Sequence, residues 1–307
     1  MIDVQRLRVL RAVAEHGSFN RAAGALLLTP SAVSQHIAAL ERGLGHPVAV
    51  RSTRGVTLTE PGRLLVEAAE TISAELDQVR HEIDRLTAPR PRLTVATFTS
   101  GGRHLLPGAL SRFVAAHPEV ELTVRECEPE DAVPMVRAGA ADLALSYHFD
   151  GPPPVGAGGR PGLDWLPLME DPLWLVLPRA HRLADRSSLS PAELAGERWV
   201  LGCLKTEAFL RRYAEQAGFD LLVGASTTDY FFAQTLVAAG VGVSLVPEVS
   251  LAPDPVAELS VVRVEPPRPA RHFGVLLPRR RRPRPYADAL TEALTAAAAS
   301  AREGIRP

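Results

Sequence analysis

The sequence predicts an all-α N-terminal segment, a long single helix and a C-terminal α/β domain, on three observations. Apolar residues recur at helical spacing through the first 45 residues. A narrow apolar stripe flanked by charge then runs over residues 65–86. From residue 92 onward, strand-like apolar runs alternate with helix-like segments. At 307 residues the chain is long for one core, so two or three domains are expected.

The composition is that of an ordinary globular chain, 46% hydrophobic and 22% charged with a net charge of −1. A near-neutral total neither requires nor excludes a nucleic-acid partner, because local basic surface decides that. Residues 1–58 carry seven arginines against Asp3, Glu15 and Glu41, a net of +4 and the sign that suits phosphate. Cys127 and Cys203 stand far apart, so no disulfide framework is expected and a reducing cytosol is the simplest location. Asp3, Arg6, Arg8 and Arg11 break up the N-terminus, which argues against a signal peptide. No apolar run approaches the roughly 20 residues of a membrane span. A soluble, cytoplasmic chain with no membrane partner is expected. All basic residues but Lys205 are arginine, which reads as codon bias of a GC-rich genome.

A first helix is expected over Val4–His16, with Gly17 as its stop. Ser18 is placed to cap a second helix over 19–27 that buries Phe19, Ala22, Ala23 and Leu26. Thr29-Pro30-Ser31 makes the turn and opens a third helix, Pro being well placed in a first turn. There Val33, Ile37, Leu40 and Leu44 share one face. Opposite them project Ser31, Ser34, Gln35, Ala38 and Arg42, a short-chained face able to press close to another surface. Ser and Gln can hydrogen-bond base edges and phosphates in a major groove, and Ala38 leaves room for approach. The helix pattern alone fits an ordinary three-helix domain equally well. Residues 45–59 then read as two short strands with Arg51, Ser52, Thr53 and Arg54 at the tip. Such a hairpin is a wing whose arginines meet phosphates or the minor groove.

The ordered series Phe19, Ala22-Ala23, Leu26, Thr29 to Ser34, Ile37, Leu40-Glu41, Leu44-Gly45, Val50 to Val56, Leu58-Thr59 and Gly62 resembles the DNA-binding domain of LysR-type transcriptional regulators. The resemblance implies a winged helix-turn-helix on double-stranded DNA. Its contacts would come from Ser18, Thr29, Pro30, Ser31, Ser34, Gln35, Ala38, Arg51, Thr53 and Arg54. One departure is Val48-Ala49, where the family usually has a Leu-Phe pair. The lost aromatic should weaken packing beneath the wing.

Thr59-Glu60-Pro61 is a strong helix start, with a hydroxyl cap, an acid near the positive end of the dipole and Pro in the first turn. Leu65, Ala69, Ile72, Leu76, Val79, Ile83 and Leu86 then recur at alternating spacings of four and three. Such a stripe packs either on its own chain or on a second copy, and its seven positions in register favour the second. The resemblance adds a dimerising linker helix, typically within a dimer of dimers, that sets two reading helices over an inverted-repeat operator. Ala88-Pro89-Arg90-Pro91 closes this 59–91 segment as a hinge.

In residues 92–307, strands are expected at 93–98, 120–126, 143–146, 173–177, 199–201, 243–246, 259–264 and 273–277. Helices are expected at 105–116, 131–138, 207–217, 230–239 and 286–302, and a loop without regular structure at 151–162. This order is similar to the family's effector-binding domain, a two-lobed α/β fold like that of periplasmic binding proteins. Lobe I would cover about 92–162 and 267–307, and lobe II about 163–266. The match is tightest from Leu236 to Pro247, where Gly240 ends a helix and Gly242 permits a tight strand entry. The resemblance places a small-molecule effector between the lobes, against Thr99, Ser100, Gly101, Ser146, Tyr147, Gly202, Cys203, Thr227 and Thr228. Helix N-termini there favour an anion, although capping alone also explains the hydroxyls. A carboxylate is expected, with Arg103, His104 or Lys205 as counter-charge.

Nine scattered histidines and the lack of any H-E-x-x-H, G-x-S-x-G or P-loop point to no enzyme, metal or cofactor. The rival reading is a solute-binding or enzymatic α/β domain on a helical oligomerisation stalk. A lesser one is a thiol redox sensor, disfavoured because the sensing pair of such relatives is close in sequence. Arg279 to Arg282 with Arg284 reads as a solvated loop. The sequence thus predicts a ligand-responsive transcription factor in which effector binding shifts the spacing of the DNA-reading heads.

Overall fold

In the computed structural model the described residues are 2–52, 55–149, 162–203, 206–251, 258–279 and 283–303. They form two compact units, the first of residues up to Thr87 together with Arg137–Gly139, the second of Ala88–Val136 and the residues from Ala140 on. Thr53, Arg54, Lys205, Arg280, Arg281, Arg282 and all but the last residue of the 151–162 loop lie outside the described residues, as do the side chains of Arg51 and Ser52.

In the first unit, α1 (Val4–His16) starts at Asp3, whose carboxylate accepts from the Gln5 amide, and ends at Gly17 with φ of 60°. Ser18 precedes α2 (Phe19–Leu26), but its side chain makes no capping hydrogen bond, so the expected cap is only positional. Thr29 caps α3 (Pro30–Leu44), its Oγ1 accepting from the Ala32 amide at 3.2 Å. α2 and α3 turn through 106° across three residues, the geometry of a helix-turn-helix. Leu10, Val13, Ala22, Val33, Ile37 and Leu40 pack as its core. An antiparallel hairpin of β1 (Ala49–Ser52) and β2 (Gly55–Leu58) follows, then α4 (Glu60–Thr87).

The hairpin root is tighter than the Val48-Ala49 departure suggests. Val48 is fully buried and Ala49 packs on the same core. The Val48 amide donates to Glu41 Oε1 at 2.9 Å, and its carbonyl accepts from the Thr59 amide at 3.1 Å. Thr59 Oγ1 donates to the Pro47 carbonyl at 2.7 Å and accepts from the Gly62 amide at 3.2 Å. The close backbone approach at this root depends on Gly62: a Cβ there would lie 1.9 Å from the Val48 carbonyl oxygen.

The apolar stripe of α4 divides in two. Leu65 packs on the helix-turn-helix core and Ala69 is buried, so these expected interface positions are used within the unit. Leu76, Val79, Ile83 and Leu86 remain 56, 51, 56 and 77% exposed.

The second unit runs β3 (Arg92–Thr97), α5 (Thr99–His104), α6 (Leu106–Ala116), β4 (Glu121–Glu126), α7 (Pro129–Ala138), β5 (Leu143–Phe149), β6 (Leu163–Pro178), β7 (Ser188–Leu189), β8 (Arg198–Leu201), α8 (Thr206–Gln216), β9 (Leu222–Ser226), α9 (Tyr230–Ala238), β10 (Ser244–Pro247), β11 (Leu259–Val264), β12 (Ala270–Pro278) and α10 (Pro285–Glu303). The main sheet has the order β4-β3-β5-β12-β6-β11-β7, with β10 also on β6. β6 joins two lobes: its first part, Leu163 to Pro172, pairs with β12, and Leu173 to Pro178 pairs with β10 and β11. Residues 163–172, expected to open the second lobe, instead pair with β12, which the first lobe was expected to hold. Pro167 and Pro172 hide this half of the strand from a sequence reading, and the register shift at Phe273/Gly274 leaves Leu168, next to Pro167, as the extra residue. The sequence reading also misses β7, β9 and the one-turn α5. One apolar core lies beneath α6 and α10, around Phe113, Leu290 and Phe273, and another beneath α8, around Trp199, Phe209 and Val262.

The basic run before α10 is not all solvated. Arg279 pairs with Asp164 at 2.8 Å, and the largely buried Arg284 pairs with Asp142 at 2.7 Å.

Candidate functional site

In the first unit the candidate face is the start of α3. Burying Val33, Ile37 and Leu40 leaves Thr29, Pro30, Ser31, Gln35 and Arg42 exposed, with Ser34 and Ala38 half-buried. The Thr29 and Ser31 hydroxyls meet at 2.9 Å. Ser18 is half-buried at the start of α2. Hydroxyl, amide and methyl groups thus cover the first two turns of a capped helix, a surface that can approach base edges closely.

In the second unit a small cleft opens between the lobes. Of the residues expected there, Thr99, Ser100, Tyr147, Cys203 and Thr228 line it. The other four do not. Gly101 lies against the Phe98 ring, and Gly202 against the Tyr230 ring. Ser146 is fully buried on β5, where alternation turns it away from Tyr147's side. Thr227 Oγ1 donates to the Leu201 carbonyl at 3.0 Å and accepts from the Asp229 amide at 3.3 Å, which makes it a loop-fixing group.

The floor is a residue that the sequence reading misses. Arg271 is 1% exposed and lines the cleft from β12. Its cross-strand partner on β6 is Asp171, also fully buried. Arg271 Nε donates to Asp171 Oδ2 at 2.8 Å and Nη2 to Ser100 Oγ at 2.9 Å, while Asp171 Oδ1 accepts from the Val249 amide at 3.2 Å. Tyr147 and Phe273 place their rings 4.9 Å from the guanidinium. Burial alone would lower the Arg271 guanidinium, but Asp171 and the two neighbouring tyrosines raise it overall, so it stays charged. Burial pushes the Asp171 carboxyl up, against the pull of Arg271. Burial likewise pushes the Tyr230 phenol up to about 12, and its Oη lies 3.1 Å from Thr206 Oγ1.

The expected counter-charges fare differently. Arg103 stacks over the Phe231 ring at 4.0 Å, beside the cleft. Burial, with Arg103 and Arg271 nearby, holds His104 below the ordinary histidine range, so it is neutral at pH 7 and charges only as pH falls, at a cost to the folded state. The two thiols pack in different clusters, and Cys203 Sγ lies 3.6 Å from Tyr147 Oη. Burial pushes the Cys127 thiol up, away from thiolate chemistry.

Residues 4–63 match the family model of the bacterial regulatory helix-turn-helix protein, lysR family, and residues 87–299 match that of the LysR substrate binding domain. The chain belongs to the LysR family. As a LysR-type transcriptional regulator it is a DNA-binding protein, and the helix-turn-helix is the part that the family model assigns to regulation. It is 29% identical over 293 residues to the transcriptional dual regulator GltC of Bacillus subtilis (strain 168), a match covering 94% of each chain. It is 31% identical over 278 residues to the regulator IlvY of Escherichia coli (strain K12), over 83% of this chain and 86% of that one. Full-length CbnR complexed with its target DNA shares the fold, with a TM-score of 0.53 and 22% identity over 97% of this chain and 100% of that one. These LysR-family relatives are regulators and not enzymes, and the two family models account for both units. Among the described residues no single helix is long and apolar enough to cross a membrane.

Proposed function

We propose that this LysR-type regulator reads an inverted-repeat promoter site in the cytoplasm as a homo-oligomer, a dimer that pairs into a tetramer, under control of a small carboxylate-bearing effector in the cleft. The exposed polar start of α3 carries the DNA half of this reading. Ser34 and Gln35 would face base edges, with Ser18, Thr29, Pro30, Ser31 and Ala38 close to the backbone. The wing residues Arg51 and Arg54 would supply charge for phosphates, and Thr53 a hydroxyl. The exposed Leu76, Val79, Ile83 and Leu86 support self-association, since the same stretch of a second copy covers them with a two-fold axis. For the effector half, Arg271 and Ser100 line a cleft between lobes that one strand, β6, connects. A ligand touching both lobes would favour one inter-lobe arrangement over others.

Sedimentation of the full chain at micromolar concentration tests the assembly. The wild type is expected to run as a dimer or larger, and the double variant Leu76→Glu, Ile83→Glu as a monomer with unchanged helix content. A monomeric wild type would overturn the oligomer reading. On upstream DNA, hydroxyl-radical footprinting is expected to show paired protected patches whose centres lie about one helical turn, roughly 34 Å, or a multiple of it apart.

A further inference from the structure

Where the two lobes join, three buried N–H groups lie together without acceptors, and we infer that they form a second binding site, outside the cleft, for a small oxyanion such as a carboxylate or phosphate. Arg268 stands in the segment between β11 and β12, and Trp174 stands on β6 just past the point where that strand leaves β12 for β10. Neither lines the cleft. The Arg268 guanidinium lies over the Trp174 ring at 4.7 Å. Its segment is held on both sides: the Pro267 carbonyl accepts from Tyr213 Oη at 3.1 Å, and the Pro269 carbonyl from the Leu173 amide at 2.9 Å. Nε and Nη2 of Arg268 and Nε1 of Trp174 are buried, and none has a hydrogen-bond partner among the described residues. Nε and Nη2 are neighbouring donors of the guanidinium fork, able to grip both oxygens of a carboxylate or phosphate. Buried donors left unmet are costly, and an oxyanion would meet them.

The charges around Arg268 do not balance it. Glu248 and Glu170 attract the guanidinium, and Arg263 repels it. Glu248 Oε2 is itself buried without a hydrogen-bond partner, so no hydrogen bond joins it to the fork, and Glu170 is exposed and screened by water. Burial, and after it Arg263, hold the Arg268 guanidinium below its ordinary range despite both acids. One unmet acceptor thus stands against three unmet donors among the described residues of this cluster. Arg268 and Trp174 are both half-buried, so a small rotation of the guanidinium opens the fork to a ligand. An anion held there would touch both connections between the lobes, β6 through Trp174 and the β11–β12 segment through Arg268. It would bias the angle between the lobes from outside the cleft.

Thermal denaturation of the full chain tests this with acetate, malonate and inorganic phosphate against chloride at equal ionic strength. Tryptophan fluorescence follows the C-terminal unit alone, since Trp165, Trp174 and Trp199 all lie in it. A ligand of the native state raises the melting temperature as its concentration passes the dissociation constant. Oxyanions also stabilise proteins generally, so the difference between wild type and Arg268→Met is the reading. At least one of the three is expected to bind the wild type at least about tenfold more tightly than Arg268→Met. In chloride, Arg268→Met is expected to melt at the wild-type temperature or above it, because it removes a buried guanidinium that no partner balances. Glu248→Gln, which removes a competing carboxylate, is expected to tighten the oxyanion by about threefold. Thr228→Val, in the cleft, is expected to leave its binding unchanged. A preference for acetate or malonate names a carboxylate ligand and a preference for phosphate a phosphate, and either supports the site. Equal shifts in wild type and Arg268→Met, or none in either, overturn it. A loss of stability in chloride shared by Arg268→Met and Glu248→Gln overturns it too, since the two would then pair with each other in the protein alone.

Discussion

Asp171→Ala destabilises the C-terminal unit by about 3–5 kcal/mol, because it leaves the Arg271 guanidinium charged, buried and unpaired. The loss has two parts. Among the described residues Arg271 keeps only Ser100 as a hydrogen-bond partner, and the Val249 amide beyond β10 loses its acceptor. Urea denaturation followed by near-ultraviolet circular dichroism measures the effect. Removing both charges together, in Asp171→Leu with Arg271→Met, is expected to recover most of it, since a buried ion pair contributes little net stability against apolar residues of similar volume. A single variant as stable as the wild type would mean that water reaches the pair and that the floor of the cleft is not as closed as its burial indicates.

Gly62→Ala costs the N-terminal unit about 3 kcal/mol, the upper end of the range for overpacking, because the new methyl meets backbone and not a yielding side chain. The Val48 carbonyl oxygen that it strikes also accepts from the Thr59 amide, so relief requires moving the hairpin root, the start of α4, or both. Loss of DNA affinity accompanies the loss of stability, since the wing moves with its root. Gly24→Ala is the matched control: that glycine lies in α2 with no atom within 4 Å of the added methyl. It is expected to raise stability by about 0.5–1 kcal/mol through helix propensity. Thermal denaturation of the two variants side by side separates a steric requirement for glycine from a general intolerance of alanine.

These two sites show where the sequence was legible and where it was not. The helix-turn-helix reads directly because its causes are local: Val33, Ile37 and Leu40 repeat at the helical period, Thr29 caps, and Gly17 and Gly45 stop. The wing root does not, since Gly62 matters only once α4 has folded back onto Val48. The stripe of α4 is legible as a stripe, but its division at Ala69 depends on how much of it the N-terminal core covers. In the cleft, Thr99, Ser100, Tyr147, Cys203 and Thr228 follow from loop positions that the family resemblance supplies. Arg271 and Asp171 stand 100 residues apart and meet only through the register of β12 on β6. The sequence offers little signal for them, since Asp171 follows Glu170 in a strand that also carries Asp164, and Arg271 stands beside His272.

The most direct measurement of the central claim, that the α3 face reads DNA, is an anisotropy titration of two duplexes of equal length: the chain's own upstream intergenic DNA and a scrambled version. Wild-type protein is expected to bind the upstream duplex at least about 10³-fold more tightly than the scrambled one at physiological salt. Gln35→Ala is expected to reduce that ratio by about tenfold or more while leaving affinity for the scrambled duplex in place. Arg51→Ala is expected to weaken both duplexes by a similar factor and to lower the salt slope by about 1. A Gln35→Ala protein that discriminates between the duplexes as well as the wild type does would contradict the assignment of this face to base recognition.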